Sequence, residues 1–458
     1  MNQGIQTQTP SRLTVLQVAW PIILSNLSTP LLGLVDTAVI GNLGDAALIG
    51  AIAIGAMIFS FLYWGFGFLR MGTTGLVAQA LGADDPTEVV ASFYRALLVA
   101  AGIGVALFCL QLPLATLAFR LIDGSSAVES AAETYFFIRI LGAPLSLANL
   151  AIAGLLLGQQ HTRALLFIQL LLNGTNILLD LVFVVGLGLG VAGVAAATVI
   201  AEAVAFVAGM MMVLRSLQAT GASLTLPISR LQDASALRRM FSVNRDIMIR
   251  TLCLIFAFAW FTNQGAKAGD TVLAANAILM QFVSFSAFFL DGFALAAETL
   301  VGNAVGARSR NRLDAAIRYS TELALATALL LTLLLILFAP HAITLLTNVP
   351  EVRLAAAAFL PWAALAPLVS VWCYQLDGIF IGATRTAEMR NAMIVSLAVF
   401  LGAWALLSAE FGNHGLWASL LVYFVARAAS LQYYLPRLKS AVGTSDPWTA
   451  GTNPDTRV

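Results

Sequence analysis

Long apolar runs, broken only by short polar stretches, follow one another along almost the whole chain. A membrane-crossing helix needs about 20 consecutive apolar residues. The runs divide into about twelve such helices, near 13–41, 46–80, 89–119, 127–156, 160–186, 190–215, 236–264, 271–305, 311–339, 352–378, 382–409 and 414–436. The longest polar segment, about Arg215 to Arg239, falls between the sixth run and the seventh. This pattern predicts an all-α integral membrane protein of twelve transmembrane helices. It divides into an N-terminal six-helix lobe (1–215), a cytoplasmic linker (216–235), a C-terminal six-helix lobe (236–436) and a cytoplasmic tail (437–458).

The two halves repeat. Leu76–Ala83 (LVAQALGA) returns as Leu300–Ala307 (LVGNAVGA), Gly158 aligns with Gly382, and Gly190–Gly193 (GVAG) answers Gly412–Gly415 (GNHG). Six helices per half insert both halves the same way round. The lobes are therefore a pseudo-symmetric parallel repeat, an arrangement that encloses a central cleft. One chain carries both lobes, so a monomer can complete that cleft. An even number of spans also puts both termini on one side. Lys and Arg crowd the loops on that side (Arg163, Arg215, Arg230, Arg238, Arg239, Arg308, Arg310, Arg312, Arg385, Arg390), so both ends are expected in the cytoplasm.

Composition narrows the class. Hydrophobic residues make up 60% and charged residues 10% of the 458 positions, and the formal net charge is +1. That balance favours the bilayer as surroundings and argues against a nucleic-acid partner. Cys109, Cys253 and Cys373 are scattered in apolar runs and read as packing residues. There is no G-x-x-x-x-G-K-[ST], no H-E-x-x-H and no G-x-S-x-G, and His161, His341 and His414 lie far apart. Neither an enzyme nor a metal cofactor is expected.

Charged groups within membrane helices are costly and mark function by default. Pro21–Gly41 carries Asp36 near its far end and two prolines, each of which frees a carbonyl and makes a bending point. At 1.5 Å per residue, Asp36 lies roughly 8 Å below the outer end of span one, and Asp180 roughly 9 Å below that of span five. Asn176 is one turn below Asp180, with Asn173 a further turn down. Span six brings Thr198 to about 12 Å depth and Glu202 to about 18 Å. Three helices of one lobe thus place polar groups in a shared outer layer. Each has a plainer reading: a solvated acid at a helix end for Asp36, interhelical bonding for Asp180, Asn173, Asn176 and Thr198, and a structural partner for Glu202. The second lobe offers Phe261 or Thr262, Leu420 and Phe424 at the corresponding positions. Its own acids, Asp291, Glu298, Asp377 and Glu388, sit toward the inner face, within reach of Arg385, Arg390 or Arg308. Arg70 is intramembrane and either snorkels or pairs with an acid. Trp64, Phe68, Phe256, Trp260, Phe285 and Phe289 either line an apolar cavity or pack.

The stretches PLLGLVDTAVIGNLG, FLRMGTTGLVAQALGA, NRDIMIR, LDGFA and WCYQLDGIFIGATR resemble the DinF branch of the multidrug and toxic compound extrusion family, over about Trp20 to Tyr434. The resemblance implies two six-helix bundles forming a V-shaped cleft in the bacterial inner membrane. It further implies cation-coupled efflux of bulky amphipathic, often cationic, compounds. Asp36 would match a first-helix aspartate whose protonation bends that helix about Pro21, with Asn176, Asp180 and Thr198 as its polar partners. Members that use sodium in the second lobe have a glutamate on helix seven and an aspartate on helix ten. Asp377 is the candidate for the second, but span seven offers no mid-membrane acid, which favours the proton. A cation at Asp36, Asp180 and Asn176 stays open. The expected function is a secondary active proton/drug antiporter working by alternating access. The alternatives are a sodium-coupled antiporter on the same fold, a flippase for a lipid-linked precursor, or a receptor or scaffold that transports nothing.

Overall fold

A computed structural model describes residues 9–41, 46–121, 125–219 and 227–443, without the side chains of 29–41, 46, 47 and 121. Every regular element among the described residues is helical, the form in which an apolar chain satisfies its backbone without water. In order these are α1 (Arg12–Gly41), α2 (Ala46–Gly65), α3 (Phe68–Gly82), α4 (Pro86–Cys109), α5 (Gln111–Leu121), α6 (Ser126–Arg139), α7 (Ala143–Gly158), α8 (Thr162–Asp180) and α9 (Gly190–Ala219). After the short α10 (Ile228–Leu231) come α11 (Ala234–Lys267), α12 (Asp270–Gly306), α13 (Arg310–Leu346), α14 (Pro350–Gly382) and α15 (Thr386–Ala441).

Among the described residues, ten helical runs are long and apolar enough to cross a membrane. The last, α15, is broken at Gly412 (φ 52°, ψ −126°), so it contributes two crossings, and α1 adds another of 30 residues. The twelve spans expected from the apolar pattern are thereby accounted for. Several are not single rods. The second breaks at Gly65–Gly67 into α2 and α3, and the third breaks at Leu110, three residues before Pro113, whose missing N–H cannot bond back across that point. The fourth passes through a 3₁₀ turn, Ile140–Gly142, just before Pro144. α8 runs on into a π-helical segment, Leu181–Gly186, immediately after Asp180.

The internal repeat is visible in the backbone. Among the described residues four non-glycine residues have positive φ, and they pair across the halves at an offset of 224 residues: Asp84 (56°) with Arg308 (52°), and Gln160 (61°) with Thr384 (52°). Each follows a helix end. In each case the next N–H closes a bond of 2.8–3.0 Å to the carbonyl five residues back: Asp85 to Ala80, His161 to Leu156, Ser309 to Ala304 and Arg385 to Phe380. This is the Schellman stop, which satisfies the last carbonyls of a helix.

The described chain forms two compact units. One comprises Leu24–Leu81 and Asp85–Phe241, here the N-terminal unit; the other comprises Met1–Ile23, Gly82–Asp84 and Ser242–Val458, here the C-terminal unit. The start of α1 falls in the C-terminal unit for identifiable reasons. Arg12 donates to Glu322 on α13 at 2.7 and 2.9 Å, and Ile23 packs against Gly292 of α12, where a Cβ would overlap it. Within the N-terminal unit the apolar core joins α3, α4, α7, α8 and α9 through Val77, Phe93, Leu155, Ile168 and Leu217. Leucines such as Leu178 (62% exposed) and Leu406 (77% exposed) point outward, as a lipid-facing surface requires.

Candidate functional site: a polar layer in the N-terminal unit

α8 inverts the usual pattern of a soluble helix. Phe167, Leu170 and Leu178 are exposed, while its buried positions beyond the first turn are Ile168, Asn173, Asn176 and Asp180. The last three share one face at i, i+3 and i+7. Asn173 donates from Nδ2 to the carbonyl (3.1 Å) and to Oγ (3.0 Å) of Ser28 on α1, and its Oδ1 accepts from Gln169 Nε2 at 3.1 Å. One turn on, Asn176 Nδ2 donates to Thr198 Oγ1 on α9 at 3.3 Å, and Thr198 donates in turn to the Val194 carbonyl at 2.9 Å. Asn176 is fully buried, and its Oδ1 has no hydrogen-bond partner among the described residues. Asp180 is fully buried at the point where α8 becomes π-helical. The layer thus ties α1, α8 and α9 together through amides and hydroxyls.

Two other residues singled out from the sequence stand differently. Asp36 belongs to α1, in the stretch whose side chains lie outside the described residues. Pro21 is buried in α1, which stays helical through it.

Glu202, one turn beyond Thr198, is engaged elsewhere. Its two carboxylate oxygens accept from Arg139 Nη2 and Nη1 at 2.5 and 2.9 Å, and both residues are buried. Phe59 and Tyr63 each lie 5.3 Å from that guanidinium. Gly142 lets α9 approach, since a Cβ there would come within 2.7 Å of Glu202 Oε2. Asn149 adds a bond to the Glu202 carbonyl at 3.1 Å. Arg139, absent from the residues singled out by depth, is marked in the sequence only as a basic residue inside the apolar run FFIRILG.

The C-terminal unit is built otherwise at the matching positions. Phe261, Leu420 and Phe424 are buried, and Phe261 packs edge-on against Trp417 at 5.0 Å. Asp377 does not pair with the inner-face arginines. Its Oδ2 accepts from Arg250 on α11 at 2.5 Å and from Arg427 on α15 at 2.6 Å. Both partners come from helices far away in sequence, 127 and 50 residues from Asp377. Arg390 pairs with Asp246 (2.7 Å), and Arg385 with Glu388 (3.1 Å). Among the described residues no group of three His, Cys, Asp or Glu could hold a metal ion. Asp180 and Asn176 Oδ1 are among the layer's described oxygens, the atom type that hard cations take as ligands.

The MatE family model matches residues 21–182 and again 247–404, one copy in each half. The chain belongs to the MatE family. This is the family its motifs resemble, and the doubled match falls on the repeat seen in sequence and backbone. DNA damage-inducible protein F of Escherichia coli (strain K12) is 42% identical over 426 residues, 92% of each chain. The Deinococcus radiodurans protein named Probable multidrug resistance protein NorM is 30% identical over 440 residues, 91% of this chain and 93% of that one. Among solved structures, MATE in the bent conformation superposes with a TM-score of 0.86 at 20% identity, covering 96% of this chain and 98% of that one. The Vibrio cholerae MATE transporter VcmN in the bent form gives 0.83 at 21%, covering 94% and 97%. These likenesses establish the fold as that of MatE transporters.

Proposed function

We propose that the chain is a secondary active exporter of amphipathic small molecules, cationic ones among them, driven by exchange for protons through the polar layer of the N-terminal unit. The observation that carries the reading is the inverted face of α8, which buries Asn173, Asn176 and Asp180 while its leucines face outward. Polar side chains can also serve as glue between membrane helices. A carboxylate as fully buried as Asp180, however, is costly to keep charged in an apolar interior, so gaining a proton there changes the local energetics. Glu202, Asp246 and Asp377 are held against guanidinium groups.

In this reading Asp36 and Asp180 form one coupled titrating unit. A proton arriving from outside neutralises it and rearranges the bonds of Asn176 and Thr198. α1, tied to Asn173 through Ser28, then bends about Pro21, the cavity of this lobe contracts, and substrate leaves outward by alternating access. The chain works as a monomer in the bacterial inner membrane with both termini cytoplasmic. Sodium is the second reading, favoured by the unpartnered Asn176 Oδ1 beside a carboxylate helix face.

Flux in proteoliposomes, with pH and sodium gradients imposed separately, tests the proposal. Efflux should follow the pH gradient and disappear in Asp36→Asn and Asp180→Asn. A full response to sodium alone would transfer the role to sodium. Response to neither gradient would favour a flippase or a protein that transports nothing.

A further inference from the structure

α8 and α9 pack side by side in the N-terminal unit, and an apolar groove of about 500 Å³ runs along their seam. Leu171 of α8 and Val199, Ile200, Val204, Val207 and Met211 of α9 line it, with no polar side chain in its walls. Ile200, Val207 and Met211 are exposed, so the groove opens outward rather than into the core of the unit. Twelve residues of α9 separate Met211 from Val199, a rise of roughly 18 Å. Half of a hydrocarbon core is about 15 Å. The groove therefore has the length of an acyl chain in one leaflet.

One end of the groove is basic. Arg215 lies one turn beyond Met211 on the same face of α9, and Arg163 lies one turn before the exposed Phe167 and two before Leu171 on α8. The contact of His161 Nδ1 with Ser216 Oγ, at 3.0 Å, holds these two helix ends together. Both arginines are exposed, and neither makes an ion pair or a side-chain hydrogen bond among the described residues. Other arginines beyond the spans are engaged: Arg230 approaches Asp85 (3.6 Å), Arg385 meets Glu388 (3.1 Å) and Arg390 meets Asp246 (2.7 Å). Two guanidinium groups without a carboxylate thus stand at the mouth of a groove of acyl length.

We propose that this seam binds an anionic phospholipid, one acyl chain lying in the groove and the phosphate held by Arg163 and Arg215. A guanidinium presents parallel N–H donors that match two phosphate oxygens. Basic pockets between membrane helices take anionic head groups in this way, and each methylene of the chain adds apolar burial. A zwitterionic lipid offers the same phosphate, but its ammonium opposes the two arginines. The leaflet is the cytoplasmic one in the orientation proposed above, and the binding itself needs neither that orientation nor transport.

Native mass spectrometry of the delipidated full chain tests the proposal, with phosphatidylglycerol and phosphatidylethanolamine of the same acyl composition titrated separately. No ion gradient enters the measurement, so it stands whichever way the proton-coupling test falls. The wild type should bind phosphatidylglycerol more tightly by about tenfold or more, through hydrogen bonds to a charged group. Glycerol phosphate, the same anion without a tail, should not displace it. The double variant Arg163→Gln with Arg215→Gln should lose that preference. Val207→Trp fills the groove from an exposed position, leaves both arginines in place, and should weaken both lipids several-fold. Equal binding of the two lipids by the wild type, displacement by glycerol phosphate, or an unchanged affinity for phosphatidylglycerol in either variant would overturn the assignment. Should the double variant fail to fold, the wild-type preference, the glycerol phosphate competition and Val207→Trp decide.

Discussion

Asn173 reaches from α8 to bond both the carbonyl and the hydroxyl of Ser28 on α1, at 3.1 and 3.0 Å. This contact joins the polar layer to the helix whose bending is proposed to drive export. Asn173→Leu keeps the bulk and removes both bonds. A net loss of about 1 kcal/mol is expected, typical of hydrogen bonds between membrane helices. Ser28→Ala should cost about half of that, because the carbonyl acceptor survives. Thermal unfolding in detergent measures the first effect. A several-fold fall in pH-driven efflux with Asn173→Leu, at unchanged expression, measures the second.

The fork between Arg139 and Glu202 makes a sharper prediction. Removing one member of a buried ion pair strands the other charge and costs about 3–5 kcal/mol, whereas replacing both by apolar groups of similar size is often neutral. Arg139→Met should therefore destabilise strongly, Glu202→Met likewise, and the double methionine variant should recover most of the loss. A double-mutant cycle on thermal stability reads the coupling directly. Additive losses in the double variant would show that the pair does not act as a unit.

Much of this was legible in the sequence, and the physical reason is the bilayer. Apolar runs of fixed length must be helices there, so the span count followed from the lengths of the runs, and the repeat from motifs such as LVAQALGA and LVGNAVGA recurring in the same order. The face of α8 was equally readable, because Asn173, Asn176 and Asp180 are spaced by helical turns within one element. Partners supplied by distant helices were not readable. Nothing local ties Arg139 to Glu202, or Arg250 and Arg427 to Asp377, and the interruptions of spans two to four arise at Gly65–Gly67, Pro113 and Pro144 within runs that look continuous in hydropathy.

Gly158 and Gly382 stand at equivalent places in the repeat, yet they should respond unequally to alanine. A Cβ on Gly158 would meet Val77 Cγ1 at 2.7 Å and the Thr74 carbonyl at 2.9 Å. A Cβ on Gly382 would overlap the backbone carbonyl of Glu298, on a neighbouring helix that cannot yield without shifting as a whole. Overpacking of this kind costs about 1–3 kcal/mol. Gly382→Ala should lie at or above the upper end and Gly158→Ala near the middle, measured as loss of folded protein on heating. The reverse order would mean that α12 moves more readily than Val77 rotates.

His161 gives a pH dependence whose sign follows from its surroundings. It lies in the turn between α7 and α8, outside the spans, with Nδ1 3.0 Å from Ser216 Oγ. The Ser216 hydroxyl is committed to Gln159 Oε1 at 2.6 Å, so Nδ1–H donates to Oγ and the ring is satisfied while neutral. Burial pushes its pKa below the ordinary value of 6.5. The unfolded chain therefore takes up a proton here at a higher pH than the folded one. The stability this site contributes is complete above about pH 6.5 and is lost as the pH falls through the lower folded value. Melting curves between pH 7.5 and about 5 should decline for the wild type, and His161→Gln should flatten that decline. A decline of the same steepness in the variant would place the titrating group elsewhere.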